Sequence, residues 1–515
     1  MKKQVFTLII VVFIFAIANG VSAQQTPMHG WTEVTAVQGS ITVPISREDV
    51  LTNQDGSWTV LWLTSPTSGF PFTLRFKEFD QNNQPGTEGE ITQIGEARYP
   101  ILNDQEGNIY VVLTDISAYP SYILKLTKID RSGAIVFQIA IDNLGGNTGG
   151  SYPQFALGSD NQFSIIYYLS PGWRFARANR DGIITTQPRS IQLNLFGTRL
   201  TSDRQGNLYI FGQDATYNGR PAYQKLNERD GSPIGNPVVM GTSAAVPYDF
   251  AYRNDKLHFV WREDVGSVNN VYYSQYDAAT NQPVVARQLL WSTQSQDRIF
   301  YEASLAVTDD GSRINVIIFD RDNQVTRMYH RIYFMQIDNT GRVTIPQTLM
   351  ADMSIGSRPL TIGKIAQIYE TPYIIFGDRF DLASPDKIIA KIYDPQIIGP
   401  ENPYTESCNV YQINAPLQNS QNYIVAASLG TSPGTPLPGG RTLPLNPDSL
   451  LFLSLTGNLI RNNLGVLDSS GRTTFRIRLP QGLPNNLQFY LAFLTFGQQV
   501  GFISKPKLQQ IQTQC

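Results

Sequence analysis

Short apolar runs rich in β-branched and aromatic residues recur along most of the chain, each set in the same order of polar and apolar positions. A copy opens near a proline or an aromatic residue, crosses a turn of Asp, Gly and Asn, and continues into a run such as residues 110–113. A variable loop leads to a third run that ends in Asp or Asn, and a further turn leads to a fourth. Short runs bounded by turn residues predict β-strands, because the 3.6-residue period of helices is missing from them.

Seven copies of this four-strand unit lie between residues 45 and 397. Four short strands per repeat are typical of a β-propeller blade, and the repetition itself determines the architecture. We therefore predict an all-β, seven-bladed β-propeller, with six and eight blades as alternatives. The third strands of the copies end about fifty to sixty residues apart, at Asp80, Asp130, Asn179, Asn227, Asp277, Asp338 and Asp394.

The ring must also close, and the two ends of the repeat region indicate how. The last copy reaches Pro395 and Pro400 with little room for a fourth strand. Residues 31–37, which precede the first copy, alternate in the manner of a strand. We expect this N-terminal strand to be the outer strand of the last blade, so that no long sheet edge stays exposed.

The pattern changes after Pro400. A Pro/Gly-rich turn region at residues 431–441 precedes strand-like runs at residues 450–455, 473–479 and 489–496, and Asp468-Ser-Ser-Gly471 is a hairpin signal. About 115 residues are enough to hold a separate core. We predict a signal peptide at 1–23, a propeller at 24–399 and a small C-terminal β-sandwich at 400–515, the last with an attachment or spacer role.

The first residues have the layout of a cleaved secretory signal. Lys2 and Lys3 precede an apolar run over residues 5–18, which ends in small residues up to Ala23. We expect a protein that is secreted, periplasmic or at the cell surface, with no membrane span. In such an oxidising compartment Cys408 and Cys515 are expected to form a disulfide, the alternative being two free thiols.

Charge and composition exclude several function classes. Only 16% of residues are charged and the formal net charge is −2, so the chain lacks the clustered Lys and Arg of a nucleic-acid-binding protein. The three histidines, at positions 29, 258 and 330, stand apart without zinc spacing. We expect no metal, no cofactor and a monomer.

The repeat region resembles the repeats of sialidase-like propellers of secreted bacterial proteins. The resemblance rests on runs such as Glu302-Ala-Ser-Leu-Ala-Val-Thr-Asp-Asp-Gly311 and Asp255-Lys-Leu-His-Phe-Val-Trp261. The Asp-box of that family, Ser-x-Asp-x-Gly-x-x-Trp, is not reproduced; its nearest relative is Asp55-Gly56-Ser57-Trp58. The C-terminal segment resembles a β-sandwich module at the C-termini of secreted bacterial proteins. The resemblance implies the fold and leaves the activity open.

One mouth of the predicted ring collects a recurring set of polar residues. Asp follows the second strand in five copies, and Tyr or Arg opens the first strand in most. Aromatic faces suit sugar rings, and carboxylates and guanidinium groups satisfy hydroxyl or acidic groups. The alternative is that each Asp only caps its loop as an Asx-turn. The predicted ligand-binding residues are Asp115, Asp214, Asp264, Asp320, Asp378, Tyr99, Tyr152, Arg199, Tyr248, Tyr301 and Arg358.

Three functions remain open on this basis. The first is non-catalytic recognition of a carbohydrate or protein ligand at the cell surface, which predicts a shallow, nearly symmetric rim. The second is a glycan-acting hydrolase of sialidase-like type, with Arg98, Arg199, Arg358, Tyr301 and Glu302 as candidates, which needs two carboxylates that converge on one pocket. The third is a structural envelope or matrix protein that assembles through an apolar outer patch.

Overall fold

The described strands of the computed structural model form four-stranded antiparallel sheets that follow one another around a ring. The structure describes residues 31–38, 45–53, 57–64, 72–80, 83–94, 100–104, 106–117, 121–146, 153–293, 298–308, 311–322, 328–355, 364–368, 371–378, 387–393, 395–400, 402–405, 408–437, 442–497 and 500–512. The predicted signal peptide and Cys515 lie outside these residues.

Seven four-stranded units are present within the described ranges, which agrees with the prediction of seven blades. Blades 1 and 2 share one sheet through a single pairing, of Ile94 with Asp115. The strands of blades 1 to 3 are Ile45–Thr52, Trp58–Thr64, Phe72–Phe79 and Pro85–Ile94; Ile101–Asn103, Ile109–Asp115, Tyr122–Ile129 and Ile135–Gly145; and Gln154–Leu157, Gln162–Leu169, Gly172–Asn179 and Ile184–Ile191.

The remaining blades follow the same order. Blades 4 to 6 are Leu195–Ser202, Asn207–Asp214, Arg220–Asn227 and Pro233–Val239; Ala245–Arg253, Lys256–Val265, Val268–Asp277 and Pro283–Thr293; and Arg298–Val307, Arg313–Asp322, Met328–Asp338 and Val343–Ile355. Blade 7 consists of Lys364–Ile368, Thr371–Asp378 and Lys387–Tyr393, with the N-terminal strand Trp31–Gln38 as its outer strand.

The ring closes through that N-terminal strand, as the sequence predicts. Trp31 pairs with Tyr393 and Gln38 pairs with Lys387 in an antiparallel register. The ring also closes at its centre, where the first strands of blades 7 and 1 lie against each other. Trp58 of blade 1 stacks on Phe79 at 4.2 Å between ring centroids and lies 5.9 Å from Tyr373 of blade 7. The all-β propeller prediction is confirmed.

Strand position within a blade decides the burial pattern. Second strands such as Trp58–Thr64 and Ile109–Asp115 are buried at every residue because neighbouring blades cover both faces. Such strands have nearly continuous apolar sequences. The fourth strand of blade 2, Ile135–Gly145, alternates towards solvent because it forms the outer rim.

A buried ion pair joins blades 3 and 4. Glu228 follows the third strand of blade 4 and accepts bonds at 3.0 Å from the Ser159 N–H of blade 3. It also lies 3.3 Å from the Arg177 guanidinium, and both side chains are almost fully buried. Arg177 is shared with Asp160 at 2.7 Å. A side chain at Gly158 would not fit, since its Cβ would lie 2.2 Å from the Glu228 carboxylate.

The C-terminal region forms two packed sheets. The first contains Gln396–Ile398, Cys408–Asn414, Arg472–Arg478 and Ile460–Arg461. The second contains Leu464–Val466, Asn422–Ser428, Gln488–Phe496, Val500–Ile503 and Lys507–Gln510. Inner side chains of both sheets, among them Phe475 and Phe493, belong to one buried cluster, as in a β-sandwich. Thr435–Pro436 pairs with Thr442–Leu443, and a 3₁₀ turn spans Pro416–Gln418.

One predicted strand is wrong. The run at residues 450–455 lies in an α-helix, Ser449–Leu455. Asp448 caps it by accepting a hydrogen bond from the Leu451 N–H at 2.9 Å, which satisfies a backbone donor that a helix start leaves open.

The sandwich packs against blades 6 and 7 at the end of the ring where first strands lead into second strands. Tyr393, the last residue of blade 7's third strand, meets Phe502 edge-to-face at 5.7 Å and accepts the Leu417 N–H at 2.9 Å. The buried Arg313 of blade 6 donates to the Leu417 carbonyl. The hydrophobic core is therefore continuous from these blades into the sandwich. Among the described residues, no helix is long and apolar enough to cross a membrane.

Candidate functional site

Antiparallel connection gives the propeller two chemically different mouths. The turns between first and second strands and between third and fourth strands lie at one end of the ring, here called the 1–2 mouth. The loops between second and third strands lie at the other end, here called the 2–3 mouth. The predicted ligand-binding residues belong to the 2–3 mouth.

Several of those predicted residues lie beyond what the structure describes. Tyr99, Tyr152 and Arg358 are outside the described residues, and only the strand positions of Tyr301 and Asp378 are described. Their predicted role stays a prediction.

Two of the predicted aspartates are bonded to their own loops. Asp115 pairs with Lys125 and accepts the Ser117 N–H at 2.8 Å. Burial raises the pKa of Asp115, but the bonds from Lys125 and Ser117 outweigh it and lower that pKa. Asp214 is 1% exposed and accepts the N–H of Thr216 at 2.7 Å and the Tyr217 N–H at 3.2 Å. These contacts have the geometry of the Asx-turn alternative.

The other described members of the set are also in contact with protein groups. Tyr248 is buried in the core between blades 5 and 6, and Arg262 lies 3.4 Å from its hydroxyl oxygen. Arg262 also pairs with Asp264 at 3.0 Å. Asp320 is 2% exposed, and Arg199 is half-buried. None of these side chains lines the cavity at the opposite mouth.

The 1–2 mouth, in contrast, encloses a cavity of about 1010 Å³. The ends of the first strands and the following turns of blades 1, 2, 3, 4, 5 and 7 line it. Its described wall includes three aspartates and three arginines, so its formal charges balance. They are Asp104, Asp203, Asp255, Arg180, Arg204 and Arg253.

A repeated turn builds the polar part of this wall. In blade 2, Asn108 donates to the two Asp104 carboxylate oxygens from its backbone and side-chain nitrogens, each at 2.9 Å, and Tyr110 donates from its hydroxyl at 3.1 Å. In blade 4, Asn207 donates to Asp203 in the same way, at 3.0 and 2.6 Å. The shared pattern is Asp-x-x-Gly-Asn-x-Tyr. This pattern was visible in the sequence, but as a turn it gave no sign of a cavity.

Blade 3 adds a cation to the blade 2 copy of the turn. The Arg180 guanidinium lies 2.5 Å from Asp104 and also pairs with Glu106. Burial raises the pKa of Asp104, but hydrogen bonds from Asn108 and Arg180 lower it by more than burial raises it. The resulting pKa is about 2. Asp104 therefore stays a carboxylate at any physiological pH.

An aromatic ring lies on the blade 5 side of the cavity. Tyr252 is half-buried and stacks on Tyr209 with a centroid distance of 6.2 Å and an interplanar angle of 9°. Its hydroxyl donates to Asp255 at 2.7 Å, which fixes the ring. Gln205 of blade 4 lies 3.5 Å from the same carboxylate. The neighbouring Arg204 is exposed and makes no ion pair with the described residues.

Amide groups continue the wall across the closing seam of the ring. Asn103 of blade 2 donates to the Thr52 carbonyl and to the Asn53 side chain of blade 1, both at 2.7 Å. Thr52 donates to the Gln367 carbonyl of blade 7 at 3.2 Å, so this network links the first blade to the last. No group of three or more potential metal ligands occurs among the described residues.

No family model matches this chain, and no curated protein matches it. Among solved structures, the chain is similar to a polysaccharide lyase described as an ulvan lyase, at 10% identity over 71% of this chain and 95% of that chain, with a TM-score of 0.42. It is similar to an oligogalacturonate lyase in complex with manganese, at 12% identity over 72% and 97%, TM-score 0.42.

A third similar structure is the β-propeller domain of the Trilobed protease from Pyrococcus furiosus, at 9% identity over 68% of this chain and 94% of that domain, with a TM-score of 0.39. With TM-scores below 0.5, these matches carry no argument about this chain. The fold assignment rests on the strand pairing and ring closure described above.

Proposed function

We propose that this is an exported, non-catalytic recognition protein that binds a neutral carbohydrate at the 1–2 mouth of its propeller. The observation that carries the proposal is the cavity of about 1010 Å³, whose wall combines amide groups, balanced charges and a fixed aromatic ring. The volume lies at the upper end of the ~300–1,000 Å³ typical of small-molecule sites. The proposed site is at the opposite mouth from the predicted Asp/Tyr/Arg set.

The chemistry of the wall fits sugars better than charged polymers. Sugar hydroxyls both donate and accept hydrogen bonds, and the amides of Asn103, Asn161 and Gln205 do the same. The apolar face of a sugar ring packs on an aromatic face such as that of Tyr252. The three arginines and three aspartates balance in formal charge and leave no excess to favour a polyanion.

The carboxylates of the cavity support recognition rather than cleavage. A general acid for glycoside hydrolysis must hold its proton near neutral pH. Asp104, with a pKa of about 2, cannot do so. Asp203 is engaged by Asn207, and Asp255 accepts the Tyr252 hydroxyl.

Binding of the chain from residue 24 onwards to a glycan array, together with a sugar-release assay, tests the proposal. Tyr252→Ala is expected to weaken binding roughly tenfold, which corresponds to the ~1.4 kcal/mol of one aromatic contact. Tyr217→Ala is the matched control, because Tyr217 is a 50% exposed tyrosine at the 2–3 mouth. Loss of binding in the Tyr217 variant alone would place the ligand at the other mouth. Sugar release by the unaltered chain would contradict the non-catalytic role.

A further inference from the structure

A second hollow, of about 660 Å³, lies beside the cavity at the junction of blades 2 and 3. We call it the blade 2–3 groove. Asn161 and Arg180 line both the groove and the cavity, so the two spaces meet at these side chains. The groove continues outwards from the cavity along the turns of the 1–2 mouth.

The groove has polar walls from both blades. Glu106, Asn108 and Lys128 belong to blade 2, and Gln162 and Asp181 belong to blade 3. The Lys128 ammonium lies over the Tyr110 ring, 5.4 Å from its centroid, and Tyr110 lines the cavity on its other side. Lys128 and Asp181 form no ion pair with the described residues, so their charged groups are available to a ligand's hydroxyls.

The passage between the two spaces is held in place. Arg180 is fixed by Asp104 at 2.5 Å and by Glu106, which keeps its guanidinium at the side of the passage. Asn161 adopts a left-handed conformation with φ 58°, and its exposed side chain makes no hydrogen bond with the described residues. Its amide therefore has unused donors and an acceptor where cavity and groove meet.

We propose that the ligand is a linear neutral polysaccharide that occupies the cavity with a few sugar units and continues through the blade 2–3 groove. This inference rests on the proposed function, since it assumes that the cavity takes a sugar. The groove and cavity together exceed the volume of sites that enclose one small molecule. A chain that leaves the cavity meets a polar surface with both hydrogen-bond donors and acceptors, which its successive hydroxyls require.

The propeller provides a matched control within its own repeat. In blade 4, Lys225 lies over the Tyr209 ring at 5.7 Å, in the same arrangement as Lys128 over Tyr110. Tyr110 donates to the Asp of the repeated turn at 3.1 Å, and the Tyr209 hydroxyl oxygen lies 3.4 Å from the corresponding Asp203. Lys225 lines neither the cavity nor the groove. Replacing it therefore makes the same chemical change as Lys128→Ala at a place where the ligand should not pass.

The experiment measures affinity against chain length for neutral gluco-, xylo-, manno- and galacto-oligosaccharides of two to eight units. The unaltered protein is expected to bind an octasaccharide roughly tenfold more tightly than the disaccharide of the same series. The double variant Lys128→Ala/Asp181→Ala leaves the net charge unchanged. This variant is expected to bind the disaccharide with unchanged affinity and to lose the increase in affinity with oligosaccharide length. The Lys225→Ala variant is expected to keep that increase.

The outcomes separate this inference from the function on which it rests. Equal affinity for short and long oligosaccharides in the unaltered protein would refute binding along the blade 2–3 groove. It would leave the proposal of sugar recognition in the cavity intact. A length gain that survives in the double variant would refute binding along the groove as well. If no oligosaccharide of any length binds, the proposed function fails and this inference fails with it.

Discussion

Acid should destabilise this fold through one buried histidine. His258 lies in the second strand of blade 5, is 0% exposed, and has its Nδ1 2.9 Å from the Tyr273 hydroxyl oxygen. Its Nε2 makes no hydrogen bond with the described residues. Burial lowers the pKa of His258 from its usual 6.5 to about 4.

The magnitude follows from proton linkage. Between pH 6.5 and 4 the unfolded chain binds a proton at His258 and the folded chain does not, so the free energy of unfolding falls as the pH falls. The difference between the two pKa values corresponds to a loss of roughly 3 kcal/mol in the free energy of unfolding once the pH is below about 4. At pH 5 the same relation gives a loss of roughly 2 kcal/mol relative to pH 7.5.

Urea unfolding monitored by tryptophan fluorescence between pH 7.5 and 5 measures this loss. His258→Gln removes the titrating group and keeps a polar side chain, so the variant should lose about 2 kcal/mol less over the same interval. Tyr273→Phe is the control, since it keeps the histidine buried and should keep the slope. Equal slopes in the unaltered protein and in His258→Gln would refute the reasoning.

Three further perturbations test the packing and the cross-links. Glu228→Ala leaves the buried Arg177 guanidinium with Asp160 as its remaining partner and should cost about 3 kcal/mol in urea unfolding, whereas Arg342→Ala, which breaks an exposed ion pair, should cost at most about 1 kcal/mol. Trp58→Ala removes the aromatic contact between blades 1 and 7 and should cost about 3–5 kcal/mol; a change under 1 kcal/mol would contradict the closure described here. If Cys408 and Cys515 form the predicted disulfide, Cys408→Ser should cost about 4–5 kcal/mol in the chain-entropy model and remove the reductant-dependent shift in gel mobility.

The blades were predictable because each one buries both faces of its inner strands against its neighbours. Runs such as Trp58–Thr64 are apolar throughout because neighbours cover both faces, and turn residues separate them at regular intervals. The N-terminal strand was predictable for a related reason, since the last repeat lacks a fourth strand and an open edge is costly. Both inferences depend on the local apolar pattern and on the number of strands available to each blade, and the sequence contains both.

The helix Ser449–Leu455 shows where local pattern fails. Its run of Leu and Phe is compatible with a strand or a buried helix, because a short apolar segment has no distinguishing period. The deciding signal was Asp448 directly before the run, whose carboxylate caps the helix. A helix prediction would have required that this one capping residue be given more weight than the strand pattern of the surrounding chain.

The site was harder to predict because its cause is packing between blades. The sequence shows an Asp after five second strands, but not that Asp115 and Asp214 are bonded to their own loops. It also shows the Asp-x-x-Gly-Asn-x-Tyr turn twice, but not that these turns surround a cavity. Whether a polar group is available depends on which neighbour reaches it, and that neighbour comes from another blade.

The residue directly after the third strand differs at three junctions of the 1–2 mouth. At that position Glu228 of blade 4 bonds to the Ser159 turn of blade 3, and Arg180 of blade 3 bonds to the Asp104 turn of blade 2. Blade 5 has Ala278 there, which reaches its neighbour only through its carbonyl, bonded by Tyr209 at 3.2 Å. The small side chain of Ala278 therefore leaves the blade 4 turn without a partner side chain at this position, whereas the turns of blades 2 and 3 each have one. The repeated scaffold thus acquires an asymmetric 1–2 mouth through differences in a few junction side chains, while the order of strands stays the same from blade to blade.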